Sequence, residues 1–179
     1  MTGAARNTAA RVAVPTAALT FRELLDWTAG ETRRWHRWLV AQPAAVLDLP
    51  IGTGRTATVR GLVHHVVVVE RRYADRLLGD AVSAYADVPD DSVEALFAAA
   101  GDARARLERF LAGADDAALA QRLTFETLSA GTLTASARKI VAHALLHGVR
   151  HWAQLATALR QAGYATDWGH DLLLSDALD

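Results

Sequence analysis

The chain has 179 residues, 51% of them hydrophobic and 22% charged, with a formal net charge of -1 and no cysteine. That length and balance fit one domain able to bury a core. The near-zero charge, with the arginine pairs Arg33 and Arg34, Arg71 and Arg72 inside helical patterns that also carry acids, offers no basic footprint and excludes nucleic acid as a partner. The absence of cysteine removes disulfides, thiolate metal ligands and a cysteine nucleophile together, so any thiol chemistry must use a thiol from outside the chain.

The opening MTGAARNTAARVAVPTAA has arginines but no apolar run long enough for a signal peptide. Residues 1–17 are expected to form a flexible tail, followed by a single domain over 18–179. The longest apolar run, Val66 to Val69, falls far short of a membrane span, so a soluble, cytoplasmic protein with no membrane partner is expected.

Taken in order, a first helix should start at Thr20, where Thr20-Phe21-Arg22-Glu23 is a capping box, and end before Pro43. Its inward stripe is Phe21, Leu24, Leu25, Thr28, Thr32, Trp35, Trp38 and Leu39. Glu31 lies on the stripe's edge and is read as a solvated boundary residue, and His36 as surface. After a loop over residues 44–57, Thr56 or Thr58 caps a second helix that stops at Gly79. Its stripe of Leu62, Val66, Val69, Tyr73 and Leu77 outweighs the strand propensity of four consecutive valines. That stripe sets His65 beside the core, whereas His64 shares a face with Arg60, Arg71 and Asp75.

A third helix is predicted from Asp91 or Ser92 to Leu111, with Asp91 and Glu94 resembling a capping box and Val93, Leu96, Phe97, Ala100, Arg104, Leu107 and Leu111 in helical period. Gly101 within it is either a tolerated cost or a point of close packing. Residues 123–134, LTFETLSAGTLT, break the pattern and read as a short hairpin or irregular loop. Thr134 or Ser136 then caps a last helix that Gly163 ends. The remaining tail, with Trp168, His170 and a leucine triplet, docks either on the bundle or on a second subunit.

The last helix carries the most informative pattern. His143, His147 and His151 recur at steps of four, each rising about 6 Å and turning about 40° beyond a full turn, so their rings share one sector. His147 and His151 fall on the stripe of Ile140, Ala144, Leu155, Ala158 and Leu159, and His143 lies at its flank toward Arg150 and Gln154. Two imidazoles one turn apart, facing a core, form half of a metal site. The spacing is also that of the zinc-protease helix, but there the first histidine is followed by glutamate as general base, and here Gly148 follows it. A zinc protease is excluded.

Four amphipathic helices with long first and second connections predict an all-α four-helix bundle, in which metal sites are built from inward residues on facing helices. Two stretches carry a specific resemblance: His65, Glu70, Tyr73, Arg76 and the closing Leu77-Leu78-Gly79, and then His147-Gly-Val-Arg-His151-Trp-Ala-Gln154 with Leu159-Arg160-Gln161-Ala162-Gly163. From Thr20 to Tyr164 the chain resembles the DinB-like metal-binding bundles, relatives of the bacillithiol transferases and the mycothiol-dependent maleylpyruvate isomerases. The resemblance implies that His65, His147 and His151 bind one divalent transition metal, with His143 outside the ligand set. It also implies a homodimer, and the family's stress-inducible label concerns regulation and not DNA contact. The chain departs from the family at Trp152-Ala153, where Arg-Gly is common.

Three neutral imidazoles leave such an ion its full charge and an open position, as in catalytic sites; zinc and nickel both suit this ligand set. Gln154, one turn past His151, and Glu70 are candidates to support such a site or to contact substrate, though Glu70 points well away from the His65 direction and is read as structural. Two classes of function follow. One is a metal-dependent S-transferase or isomerase that activates an external low-molecular-weight thiol, such as mycothiol, for attack on a small-molecule electrophile. The other is a non-catalytic, metal-containing bundle with a stress-related binding or structural role. Alanine and arginine richness, with Lys139 the only lysine, points to a GC-rich genome and is the compositional ground for mycothiol.

Overall fold

The computed structural model describes residues 18–128 and 130–178; the expected tail over residues 1–17 lies outside them. Local sequence signals start and stop most of the elements. Helix α1 (Phe21–Val40) begins with both arms of the expected capping box: the Glu23 N–H donates to Thr20 Oγ1 at 3.2 Å and the Thr20 N–H donates to the Glu23 carboxylate at 2.7 Å. Helix α2 (Val59–Leu78) is capped by Thr58 and closed by Gly79, whose φ of 73° is the left-handed conformation that glycine adopts without a Cβ penalty.

Helix α3 (Val93–Gly113) departs from expectation at its start. Ser92 Oγ accepts from the Ala95 N–H at 3.1 Å and takes the cap, so the Asp91–Glu94 box does not form. The helix also runs through Gly113, past the predicted end at Leu111. A short helix α4 (Asp116–Ala120), not foreseen, leads into an antiparallel hairpin of β1 (Arg122–Thr127) and β2 (Gly131–Ser136), with Arg122 opposite Ser136 and Thr127 opposite Gly131. Helix α5 (Ala137–Gln161) is capped by Ser136, and beyond its end the Tyr164 N–H returns to the Leu159 carbonyl at 2.8 Å.

Helices α1, α2, α3 and α5 form the predicted all-α bundle, with α2 packed against both α3 and α5. That central position explains the valine run. Leu62, Val63, Val66, Val67, Val68 and Ala74 are all buried, an arc wider than one stripe, because α2 is covered from two sides. The predicted stripe needs correcting accordingly: Leu62 and Val66 are buried, but Val69, Tyr73 and Leu77 are half-buried, and Val69 and Tyr73 line a cavity.

The largest core cluster joins Trp35, Leu39, Val63, Leu96, Phe97, Trp152 and Leu155, with Trp35 and Trp152 stacked at 5.6 Å between ring centroids. The tail docks on this cluster within the same chain: Trp168 meets the Trp35 ring edge-on at 5.1 Å and His170 stacks on it at 5.2 Å. Gly101 has nothing within 4 Å of where a Cβ would stand, so it is a tolerated cost and not a packing point. Among the described residues, no helix is long and apolar enough to cross a membrane.

Candidate metal centre

The α2–α5 contact brings together the three histidines that the sequence placed on inward faces. His65 comes from α2, His147 and His151 from consecutive turns of α5. Their ligand atoms lie within 4.8 Å of one another, with His147 Nε2 at 3.2 Å from both His65 Nε2 and His151 Nε2. Imidazole nitrogens bound about 2.0–2.1 Å from one tetrahedral zinc lie roughly 3.3 Å apart, so the observed spacing fits an ion between them. Gly148 lies at this meeting of the helices: it is buried, and its Cβ position stands 3.8 Å from Val66 Cγ1 of α2, an ordinary contact that an alanine could also make. A glutamate in this slot, as a zinc protease requires, would have to enter that contact.

The outward ring nitrogens set the tautomers. His151 Nδ1 donates to Gln154 Oε1 at 3.0 Å, an amide oxygen that can only accept, which leaves Nε2 as a lone pair facing the cluster. Tyr85 Oη lies 3.0 Å from His65 Nδ1 and orients the second ring, its hydroxyl being able to donate or accept there. Gln154 thus has the supporting place expected of it. Tyr85 was missed, because it belongs to the irregular connection after α2 and has no periodic position; the available signal was that it is the only aromatic residue in residues 80–90.

Burial keeps these rings neutral. His147 is held down at about 3, first by loss of solvation and then by the neighbouring His151 and His65. His65 is held at about 4, again by burial first, then by His151 and Arg55. His151 is lowered by burial, against which its bond to Gln154 acts. Neutral imidazole is the form that binds a metal, so the site resists protonation where free histidine would begin to charge.

A cavity of about 510 Å³ opens onto the cluster between α2, α5 and the hairpin turn. Besides the histidines it is lined by Tyr73, Tyr85, Arg55, Arg72, Arg76 and Arg150, and among the described residues no carboxylate lines it. His143 stands at this cavity, its ring edge-on to Tyr73 at 5.1 Å and 5.5 Å from the His147 ring, and is not one of the three grouped donors. Arg55 is held here by a close approach: a Cβ on Gly61 would stand 2.6 Å from the Arg55 carbonyl, so only glycine lets the start of α2 pass this loop.

Other polar candidates lie elsewhere. His64 Nε2 donates to the Val88 carbonyl at 2.9 Å, away from the cluster. Glu70 is buried and paired with Arg104 of α3 at 3.0 Å, which matches its structural reading. Burial pushes its carboxyl up, against the pull of Arg104. Glu31 was expected to be a solvated boundary residue and is instead buried at 4% exposure, because the tail folds over it. His170 Nδ1 and Trp168 Nε1 approach its carboxylate at 3.0 and 3.3 Å. His36, expected at the surface, is half-buried and stacks on Phe97 at 4.7 Å. Trp152, at the departure from the family pattern, turns into the core and does not line the cavity.

The fold and the cluster define a class, a helical bundle whose three converging imidazoles can hold a metal ion beside an open cavity. The chain belongs to the DinB family, whose family model matches residues 14–175. No curated protein matches the sequence significantly.

Proposed function

We propose that His65, His147 and His151 bind one divalent transition metal, zinc or nickel, and that the protein is an S-transferase using an external thiol against a small electrophile. The observation that supports it is the convergence of three neutral Nε2 donors, two of them with outward nitrogens held by Gln154 and Tyr85, at the wall of a cavity. A bound ion of this kind supplies Lewis acidity that favours the anionic form of a thiol near neutral pH.

The chain's own part is positioning and exclusion. His151 keeps its proton on Nδ1, Tyr85 holds the His65 ring through Nδ1, Val69 and Leu128 give the cavity apolar wall, and Tyr73 and Tyr85 give it aromatic faces. With no cysteine in the chain the sulfur comes from the thiol substrate, mycothiol in this reading. That sulfur bonds to an electrophilic carbon, and the thiol proton passes to the adduct or to the leaving group. A homodimer is part of the proposal, carried by the family resemblance.

The test is incubation of metal-refilled protein with mycothiol, bacillithiol, glutathione and coenzyme A against a panel of electrophiles, with His147→Ala as control. Thiol adducts above that control are expected. Absence of turnover with every thiol, while the metal stays bound, would replace this reading with the non-catalytic bundle, which the lack of a carboxylate base in the cavity lining favours.

A further inference from the structure

The arginines of the cavity differ from those of the α2–α3 seam, and they are gathered on one wall, whereas Arg33, Arg37, Arg122, Arg138 and Arg160, which also lack an ion pair among the described residues, lie outside it. Arg71, Arg104 and Arg106 each pair with at least one acid at the α2–α3 seam, and Arg60 pairs with Asp48. Among the described residues, none of Arg55, Arg72, Arg76 and Arg150 has an ion-pair partner, although all four line one cavity. Arg76 is half-buried between the rings of Tyr73 and Phe125, at 5.4 and 4.9 Å from their centroids, and donates to the carbonyls of Arg72 and Glu126 at 3.1 Å each. Arg72 donates to the Ser83 carbonyl. Backbone carbonyls orient these two heads without neutralising them. Arg55 lies 4.5 Å over the ring of Tyr85, whose hydroxyl meets His65. Arg150, on α5 directly before His151, is exposed.

Four cations around a concave wall with no acid focus a positive potential into the cavity, and a metal with neutral ligands would add its own charge. Guanidinium forks match the geometry of oxyanions, and such contacts are stronger away from bulk water. Resting on the transferase reading, we infer that the electrophile is a small oxyanion, bearing a carboxylate or phosphate group that Arg55 and Arg150 hold at the mouth of the cavity. Its neutral ester would lose the recognition.

Calorimetric titration of thiol-free protein, with metal and without it, tests this with three probes: succinate, inorganic phosphate and dimethyl succinate. At least one anion is expected to bind, more weakly as salt is raised, and the neutral diester not to bind. Arg55→Gln and Arg150→Gln, both at exposed positions that the fold tolerates, should each weaken the anion by about tenfold while the metal content stays the same. The inference is overturned if neither anion binds, if the diester binds as tightly as succinate, or if both variants bind like the unaltered protein. Anion binding by a protein that takes up no metal on refilling would sink the metal reading and leave the subsite standing; metal uptake without anion binding would do the reverse.

Discussion

Helix α2 has two polar faces, both carrying arginine, that differ in what stands beside it. Toward α3 its charges are closed: Glu70 meets Arg104, and buried Asp75 accepts from Arg71, from the Ser83 N–H at 3.0 Å and from the Ser83 hydroxyl at 2.7 Å, with Arg106 at 3.3 Å. Toward α5 they are open, with three neutral histidines grouped together and four arginines lacking an acid among the described residues. The seam pairs its desolvated charges with one another, although Glu70 Oε1 and Arg106 Nε stay without a hydrogen bond, and serves packing, whereas the open face leaves lone pairs and positive charge for something from outside. The difference tells apart two clusters that composition alone would rank equally. It also shows how the faces are joined, since Asp75 anchors Ser83, two residues before the tyrosine that supports His65.

The largest effect should come from the open face. His147→Ala with His151→Ala is expected to take metal content from about one ion per chain to none, measured by elemental analysis after chelation and refilling. Intact binding in that variant would remove the assignment. The closed face should answer in stability instead: Arg104→Ala leaves the Glu70 carboxylate buried without its cation and should cost about 3 kcal/mol in denaturant unfolding, with metal content unchanged. Loss of metal without loss of stability would show that the two faces are not separable.

A smaller effect tests the outer supports. Tyr85→Phe and Gln154→Leu remove the partners of the His65 and His151 Nδ1 atoms and should each lower metal affinity by about tenfold with the fold intact. Equal affinity in both variants would mean that packing alone orients the rings.

Acidity separates the faces more gently. His147 and His65 titrate at about 3 and about 4 when folded, against about 6.5 in an unfolded chain. Above about pH 6.5 neither state takes up these protons; as pH falls from there toward 4 the unfolded chain binds them and the folded chain does not, so metal-free stability declines. Thermal melts of the metal-free protein should show this decline, and His147→Ala should flatten it. A slope unchanged by that substitution would place its origin elsewhere. The smallest expected effect is none: His64→Gln should leave metal content as it was, because that ring is turned to the Val88 carbonyl. Metal loss there would mean that α2 presents a different face to α5.

How much of this was legible follows from the range of the interactions involved. Helical period and caps are local, so the sequence by itself determined four long helices, the Thr20 box, the Gly79 stop and the placing of His65, His147 and His151 on inward faces. The choice of Ser92 over Asp91 as a cap was a near-degenerate local competition, and the single stripe on α2 underestimated a helix that ends up covered on two sides. Glu31 was misread because its burial depends on a tail more than 130 residues later in the chain. Tyr85 and the arginine-lined cavity had no period to betray them. Only the tertiary structure decided that α2 and α5 meet with His65 and His147 3.2 Å apart, and which arginines found acids, because distance and charge pairing between elements remote in sequence are set by packing and not by any local pattern.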